Sequence, residues 1–540
     1  MKLLLFFAGV VFSFSFLNPI HFNPWSSFLS EVIFFISFLL LFLFTPIIKI
    51  PKNILIIFCF SLIPIVQFIF GQVYYFSISL ISFLYIASFG LAVLLGYNLS
   101  IQKKGENAKV LMTFISYVYI FICFFSSVIA IIQWLNMPYN TEYISGMVGN
   151  RPFANLAQPN HLATLLSLGV IGCFYLYENE KLKKYFLALL SLLFIFVIAL
   201  TQSRTTWVFL LAFIIFLNYK SKVMRFKLTK RLLIIWSGIY ILCIFTIPFF
   251  NEFLSSYFNV LQPTNVTERA TTGYLRMDIW NQSLHAIKEK PLFGYGWNQT
   301  SAAQYAVIED YPGKEWFSSA HNIVLDIIIW NGLILGGLIT LYFLLMYLVC
   351  LIKNIKIETV FASLMILPVL VHSFLEYPFK YSYFLLPAGL FWGVMISEIE
   401  LKPFNVRSIY FSLISIFGFV ILGFIFKEFN ENIDNNVAAN TYEMNESVDQ
   451  FELAYPVYIL DEFKYRSQWF ALNPCTRLNR NDLNKVGNMV SLHLTPYDLL
   501  KYAKILSYNG LQKEAFSQLK ILEILYGGKY KYDDIICKNK

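Results

Sequence analysis

The sequence predicts an all-α integral membrane protein with about 13 transmembrane helices. Of the 540 residues, 58% are hydrophobic and only 14% are charged, whereas a soluble domain carries about 25% charged residues. The mean hydropathy is +0.61. Apolar runs of about 17–25 residues, the length that crosses the hydrocarbon core as a helix, recur along the chain. The net charge of +9 therefore has to be interpreted by position.

About thirteen apolar runs are candidate spans, and a count of about 12–14 fits the pattern. The N-terminal stretch MKLLLFFAGVVFSFSFLNPI resembles a signal peptide, but no small-residue cleavage site closes it. A second apolar run follows at once, so we interpret this stretch as the first span. The runs begin near residues 3, 27, 53, 76, 109, 161, 184, 205, 232, 322, 357, 381 and 407.

Basic residues alternate between the connections. One set of short connections holds nineteen lysines and arginines, and the intervening, longer connections hold eight. Because cytoplasmic loops carry the excess of basic residues, the N-terminus is predicted to be cytoplasmic and the C-terminal tail to be outside. The richer set is Lys2, Lys49, Lys52, Lys103, Lys104, Lys109, Lys181, Lys183, Lys184, Lys220, Lys222, Arg225, Lys227, Lys230, Arg231, Lys353, Lys356, Lys402 and Arg407. The other is Arg151, Arg204, Arg269, Arg276, Lys288, Lys290, Lys314 and Lys380.

The chain divides by composition into a transmembrane domain, residues 1–427, and a polar tail, residues 428–540. Two outer loops are long, at about 135–160 and 251–320. In the tail, SLHLTPYDLLKYAKILSYNG and LQKEAFSQLKILEILYGG have helical periodicity with a turn between them, which predicts a helical hairpin. This hairpin is either a plain cap or a docking surface for a protein partner. Cys475 and Cys537 lie in the tail and can pair in an oxidising compartment, but the sequence leaves their pairing open.

Two arginines of the predicted outer face are candidate anion ligands. Arg204, in LTQSRTTW, lies between two short spans, where an arginine is costly. A helix N-terminus beside it favours phosphate through its free N–H groups and dipole. The alternative is an arginine that extends to the interface. Arg276 begins a helical stretch in TTGYLRMDIWNQSLHAIKEKPLFGYGWNQ, and the alternative there is a surface helix with ordinary charges.

His321 is the candidate base. It stands at the outer end of a long apolar run, FSSAHNIVLDIIIWNG. Histidine is the side chain best suited to accept a proton near neutral pH. Asp326 is five residues further on and is not well placed to orient the imidazole from the same helix. A lone interfacial histidine with a structural role is the alternative.

Two further outer segments carry polar groups next to spans. In GNRPFANLAQPNHLATLL, Gln158 and Asn160 can bind a hydroxyl-rich ligand, and Asn160 is also a candidate N-cap. In HSFLEYPFKYSYFLLPAGLFWG, Glu376 can pair with Lys380, orient a histidine or hold an arginine. Tyr377 lies beside Glu376.

Arginines and a histidine on one face form a chemically coherent set. Arginine forks can bind a pyrophosphate and stabilise the charge that develops as it leaves. The histidine can take the proton of an acceptor hydroxyl, which is a weak nucleophile by itself. Pyrophosphate is already a good leaving group, so this chemistry requires no metal, and we note no spaced carboxylate pair in the outer loops.

Three boxes give the chain a resemblance to a known family. They are GNRPFANLAQPNHLA, RMDIWNQSLHAIKEKPLFGYGW, and SSAHNIVLDIIIWNG followed by HSFLEYPFKYSYFLLPAG. With them, residues of about 145–400 resemble the O-antigen ligase and polymerase superfamily. More narrowly, they resemble the PglL-type protein O-oligosaccharyltransferases of Gram-negative bacteria. The tail is similar to the C-terminal region of the same branch with less specificity, and the first 110 residues match only in being apolar.

The resemblance implies a glycosyltransferase embedded in the inner membrane, with a groove open to lipid and a periplasmic active face. It implies transfer of a whole glycan from undecaprenyl pyrophosphate to a serine or threonine of periplasmic or pilin proteins. Partners would be the lipid-linked oligosaccharide, the acceptor protein and membrane lipid, without metal, cofactor or nucleic acid. The family's essential set falls on Arg204, Arg276 and His321. Arg151 would be an additional pyrophosphate ligand, and Gln158, Asn160, Glu376 and Tyr377 would bind glycan or acceptor.

Three other functions stay open at this point. A ligase would pass the same donor to lipid A core sugars, and a polymerase would extend a glycan. The glutamine-proline-asparagine box at residues 158–160 and the EYP turn at residues 376–378 favour the protein-glycosylating branch. A channel or transporter is the alternative from another class. Against it, polar residues are scarce within the spans, and we find no inverted repeat with paired broken helices.

Overall fold

The computed structural model describes residues 2–102, 106–258, 260, 274–399, 401–444 and 451–537. Lys103, Lys104 and Arg269, which contribute to the charge pattern, lie outside these residues, as does part of the outer loop 251–320. The described chain is built almost entirely from α-helices, and a single pair of three-residue strands joins Lys49–Pro51 (β1) to Pro403–Asn405 (β2) in antiparallel register. The all-α fold is therefore confirmed.

Nineteen α-helices lie within the described residues. In chain order they are α1 (Lys2–Leu17), α2 (Phe28–Phe44), α3 (Leu55–Ile69), α4 (Phe76–Ile101), α5 (Glu106–Trp134), α6 (Pro159–Glu178), α7 (Lys184–Thr201), α8 (Thr205–Lys220), α9 (Lys230–Leu254), α10 (Tyr274–Glu289), α11 (Thr300–Val307), α12 (Ile323–Lys353), α13 (Ile357–Ser373), α14 (Ser382–Ile396), α15 (Ile409–Met444), α16 (Asp461–Ala471), α17 (Arg480–Leu492), α18 (Pro496–Tyr508) and α19 (Gln512–Tyr526).

The apolar helices correspond to the predicted spans. Eight helices are long and apolar enough to cross a membrane, namely α3, α4, α5, α6, α7, α9, α12 and α15. Five shorter apolar helices, α1, α2, α8, α13 and α14, account for the other predicted runs. Membrane helices are thus confirmed, whereas the exact number of spans and the sidedness of the loops stay predictions.

The chain forms two compact units. The first contains residues Met1–Ile57, Ser88–Ala270 and Leu345–Leu422, and the second contains Phe58–Ala87, Thr271–Leu344 and Gly423–Lys540. The domain boundary predicted at residues 427/428 marks the change from apolar to polar sequence. Helix α15 continues through it without a break, so the boundary stays a prediction.

The first unit is a helical bundle with close backbone contacts. In it, α1 packs against α2 and α5, and α13 packs against α6, α8 and α14. Gly96 and Gly393 lie where α4 meets α14. A Cβ atom at Gly96 would come 2.0 Å from the Leu390 carbonyl oxygen, and one at Gly393 would come 2.1 Å from the Val93 oxygen. Small residues thus allow the two helices to approach closely, as is common in membrane proteins.

The second unit contains the predicted hairpin, which α18 and α19 form. Its core includes Leu499, Ile505 and Leu522, all buried. Cys475 and Cys537 form a disulfide with their Cα atoms 5.9 Å apart, which answers the question that the sequence leaves open. The hairpin prediction is confirmed, and its role as a cap or a docking surface stays open.

A glycine interrupts α12 in the second unit. Gly332 has φ 76° and ψ 174°, so the helix is kinked there. The preceding loop supplies replacement hydrogen bonds, since Leu333 N donates to Pro291 O at 2.7 Å and Tyr295 N donates to Ile329 O at 2.8 Å. A side chain at Gly332 would place its Cβ 2.2 Å from the Leu292 oxygen. The backbone of residues 291–294 therefore packs directly against the kink.

Candidate active site

Arg204 and Arg151 are associated with one turn of the first unit. Arg204 is exposed and is the N-cap residue of α8, as predicted. The preceding turn is set by Gln202, whose φ is +50°. Arg151 is anchored there, because its Nε donates to the Thr201 carbonyl oxygen at 2.6 Å. The turn between α7 and α8 thus has a guanidinium held against it and another at the start of the next helix, a suitable arrangement for an anion.

Gln158 and Asn160 both donate to Glu376. The Gln158 amide reaches Glu376 Oε2 at 2.9 Å, and the Asn160 Nδ2 makes a short hydrogen bond to Glu376 Oε1. Asn160 Oδ1 accepts from the Arg151 guanidinium at 3.3 Å. The structure therefore brings four of the predicted residues into one hydrogen-bonded cluster. In it, the Gln158 and Asn160 side-chain amides bind the charged groups of Glu376 and Arg151.

The expectation that Asn160 caps a helix is wrong. Helix α6 has Gln158 as its N-cap and Pro159 as its first residue, and the N-cap side chain makes no capping hydrogen bond. Proline at this position needs no partner for a backbone N–H. Asn160 is already within the helix, and its amide is turned toward Glu376.

A buried histidine supports Glu376, one of the roles that the sequence allows for this carboxylate. His372 is fully buried, and its Nε2 lies 3.4 Å from Glu376 Oε2. Its Nδ1 lies 2.8 Å from the Thr164 hydroxyl. Next to Glu376, the Tyr377 ring stacks on Tyr381 with centroids 6.3 Å apart. Thr164 of α6 and His372 of α13 thus hold Glu376, and with it the cluster, in place.

Arg276 lies near the start of α10 in the second unit and is partly buried. Trp280 lies one turn further on and hence on the same face of the helix. Its indole Nε1 donates to the Ala320 carbonyl oxygen at 3.1 Å. The arginine helix is therefore joined directly to the residue that precedes His321.

His321 lies two residues before α12, at the predicted end of the apolar run. It is partly exposed, and its φ is +53°, in the left-handed region that a non-glycine residue seldom occupies. Such a conformation persists only where the surroundings enforce it, and it is typical of functional sites. Asn322, the next residue, accepts a hydrogen bond from Val324 N at 3.0 Å and starts the helix.

The protein families that match this chain overlap the three boxes. A family described as O-antigen ligase matches residues 189–341, which include Arg204, Arg276 and His321. A family described as protein glycosylation ligase matches residues 152–177, around Gln158 and Asn160. The C-terminal region of a virulence factor membrane-bound polymerase matches residues 360–533.

Two curated relatives come from Acinetobacter baylyi. A general O-oligosaccharyltransferase is 36% identical over 99% of this chain and 94% of its own length. The chain belongs to the PglL-type O-oligosaccharyltransferase family. A ComP-specific O-oligosaccharyltransferase is 32% identical over 65% of this chain and 62% of its own length. The O-oligosaccharyltransferase described here is thus a glycosyltransferase and a multi-pass membrane protein, as the resemblance implies.

Two other buried carboxylates of this O-oligosaccharyltransferase are not among the predicted site residues. Glu31, in a stretch that resembles the family only in being apolar, is buried and accepts hydrogen bonds from Ser27 Oγ at 2.6 Å and Ser382 N at 3.1 Å. Glu31 lies in the first turn of α2, and a buried carboxylate is costly unless such donors surround it. Asp326 is discounted because helical spacing does not bring it to the His321 ring. Instead, Asp326 accepts hydrogen bonds from Ser319 and Ala320, in the turn that precedes the histidine.

Proposed function

We propose that this O-oligosaccharyltransferase transfers a preassembled glycan from undecaprenyl pyrophosphate to a serine or threonine hydroxyl of periplasmic proteins, pilins among them. The observation that carries the proposal is the 36% identity to a general O-oligosaccharyltransferase over 99% of the chain. The strained backbone of His321 supports it, since it marks a residue whose direction is enforced.

In the proposed reaction His321 is the general base. Its imidazole takes the proton of the acceptor hydroxyl while the oxygen attacks the anomeric carbon of the first sugar. The new bond joins the acceptor oxygen to that carbon, and the bond from the carbon to the phosphate oxygen breaks. The electron pair leaves with undecaprenyl pyrophosphate, so atoms and charge balance without an added reactant.

Arg204, Arg276 and Arg151 bind the pyrophosphate in this proposal. Guanidinium groups form paired, charge-assisted hydrogen bonds to phosphate oxygens, and these bonds strengthen as negative charge develops on the leaving group. Arg151 is suited to the task because Thr201 and Asn160 fix its direction. The leaving group therefore needs no divalent cation.

Gln158, Asn160, Glu376 and Tyr377 are proposed to contact the glycan or the acceptor. Glu376 is buried and is shared by both amides, so the cluster has a fixed shape. A rigid edge of amide, carboxylate and phenol groups suits a hydroxyl-rich ligand, because each group donates to or accepts from hydroxyls. The match of residues 152–177 to a protein glycosylation ligase favours this branch over a ligase for lipid A core sugars.

The active face is proposed to be periplasmic, in an inner membrane. The excess of basic residues in alternate connections places the tail outside. The disulfide between Cys475 and Cys537 supports this orientation, since disulfides persist in oxidising compartments. A donor that has been moved to the periplasmic leaflet would then meet His321 on that side.

Reconstitution tests the chemistry. Purified enzyme in lipid nanodiscs is mixed with a lipid-linked oligosaccharide and an acceptor protein, with and without EDTA. We expect glycosylated acceptor and undecaprenyl pyrophosphate in equal amounts, at the same rate in both samples. Loss of transfer on chelation, with recovery on adding a divalent cation, would contradict the metal-independent mechanism. If the acceptor protein is not glycosylated and a lipid A core acceptor is glycosylated instead, the result would favour the ligase.

A further inference from the structure

The peptide that joins Ala320 to His321 is held on both sides. Its carbonyl oxygen accepts from Trp280 Nε1 at 3.1 Å, and its N–H donates to Ser319 Oγ at 3.2 Å. A peptide unit bound at both polar groups cannot rotate without losing one of them. The left-handed conformation of His321, φ +53°, starts from this fixed plane. The peptide plane and this φ therefore fix where the Cβ atom of His321 lies, from which the imidazole extends.

Asp326 anchors this turn from the first turn of α12. The residue is completely buried, and its carboxylate accepts three hydrogen bonds. The donors are Ser319 Oγ at 2.5 Å, Ala320 N at 2.9 Å and Thr300 Oγ1 at 2.8 Å. A buried carboxylate is costly unless such donors surround it, and its place near a helix N-terminus adds a favourable dipole.

The hydroxyl of Ser319 transmits the effect of Asp326. A hydroxyl has one proton, and in Ser319 that proton goes to the carboxylate. Only the lone pairs of Ser319 are then left for the His321 N–H. Thr300 is directed in the same way, because it accepts from Trp330 Nε1 at 2.8 Å and gives its own proton to Asp326. Each hydroxyl is thus polarised toward Asp326.

We propose that Asp326 is a positioning residue for His321, acting through Ser319 and the Ala320–His321 peptide. This inference rests on the proposed role of His321 as the general base. Asp326 is not a catalytic residue, since its carboxylate is occupied by the turn. Its carboxylate accepts hydrogen bonds from Ser319, Ala320 and Thr300, so all three donate toward it. A neutral amide at this position would present an N–H donor where the Ser319 hydroxyl needs an acceptor.

Asp326→Asn tests the proposal in the reconstituted full-length enzyme. We expect kcat to fall by about 10–100-fold, because small displacements of a catalytic group cost rates of this order. The KM for the lipid-linked donor should stay within about threefold of the unaltered enzyme, since no donor contact is removed. The matched control is Glu514→Gln, an exposed carboxylate in the first turn of α19, which should leave both constants unchanged. An unchanged kcat, or a higher KM at an unchanged kcat, would overturn the proposal.

Ser319→Ala provides the second variant in case Asp326→Asn fails to fold. It removes the link to His321 but leaves Ala320 N and Thr300 as donors to Asp326. We expect kcat to fall about tenfold with normal membrane abundance. The double variant should be hardly slower than Asp326→Asn alone, because both changes act through one peptide. Full activity of Ser319→Ala would contradict the proposed role of Ser319. A double variant whose loss of rate equals the product of the two single losses would also contradict it, because the two residues would then act independently.

The same assay separates the two proposals. If His321→Ala is inactive and Asp326→Asn is fully active, the positioning role fails while the general base stands. If His321→Ala is fully active, the general-base role itself has failed. In the His321→Ala background, Asp326→Asn should cause no further loss of rate, because the group that it positions is absent. A further tenfold loss of rate in the His321→Ala background would show that Asp326 acts on a group other than His321, and it would overturn the positioning role.

Discussion

Replacing His321 with alanine should lower glycan transfer by about 10²–10⁴-fold, the range that general acid–base catalysis contributes. The variant keeps Asn322 as the start of α12 and keeps the hydrogen bonds of the Ala320 peptide, which involve only backbone atoms at residue 321. Membrane abundance should therefore not change. The measurement is the initial rate of acceptor glycosylation by the purified variant with a saturating lipid-linked donor.

His285→Ala is the matched control for this variant. His285 belongs to the same unit, lies on α10 and stacks its ring on Tyr311 with centroids 3.5 Å apart. No role in the reaction is proposed for it, so transfer should stay within about twofold of the unaltered enzyme. If His321→Ala were as active as His285→Ala, the acceptor hydroxyl would be deprotonated by another group and the proposed mechanism would be wrong.

Replacing Arg276 with lysine should lower transfer by about 10²-fold, the loss that follows removal of one donor to a developing oxyanion. Lysine keeps the charge but loses the planar fork that binds phosphate through two parallel hydrogen bonds. Alanine should be worse than lysine, because it loses the charge as well. Rates of the two variants, measured with the same donor and acceptor, give this order directly.

Arg480→Lys controls for the substitution itself. Arg480 is an exposed residue at the start of α17, also in the second unit. Its replacement should leave transfer unchanged. Arg276→Lys with full activity would show that charge alone suffices, and equal activity of the lysine and alanine variants would exclude any benefit from the charge.

Helices and their apolar character were predictable here, because a membrane leaves the backbone few alternatives to helix. All thirteen apolar runs correspond to helices. The kink at Gly332 was not predictable, since a glycine within an apolar run also fits a straight span. Its cause is the loop residues 291–296, which supply the missing hydrogen bonds from a distant part of the sequence.

The candidate site shows the same limit of local reasoning. Helical spacing correctly discounts direct contact between Asp326 and the His321 ring but cannot show that a turn folds back onto the carboxylate. Asn160 is a sound N-cap candidate by residue type, yet a partner 216 residues away, Glu376, binds its amide. The same holds for Cys475 and Cys537, because pairing depends on a Cα separation that no spacing rule gives.

Mass spectrometry of periplasmic glycopeptides, in cells with and without this chain, tests the central proposal most directly. We expect serine or threonine peptides that carry the intact glycan to disappear when the chain is absent and to return with the unaltered enzyme but not with His321→Ala. Lipopolysaccharide should be unchanged in every strain. Glycopeptides that persist without the chain, together with lipopolysaccharide that loses its glycan, would contradict protein glycosylation and identify a ligase for lipid A core sugars.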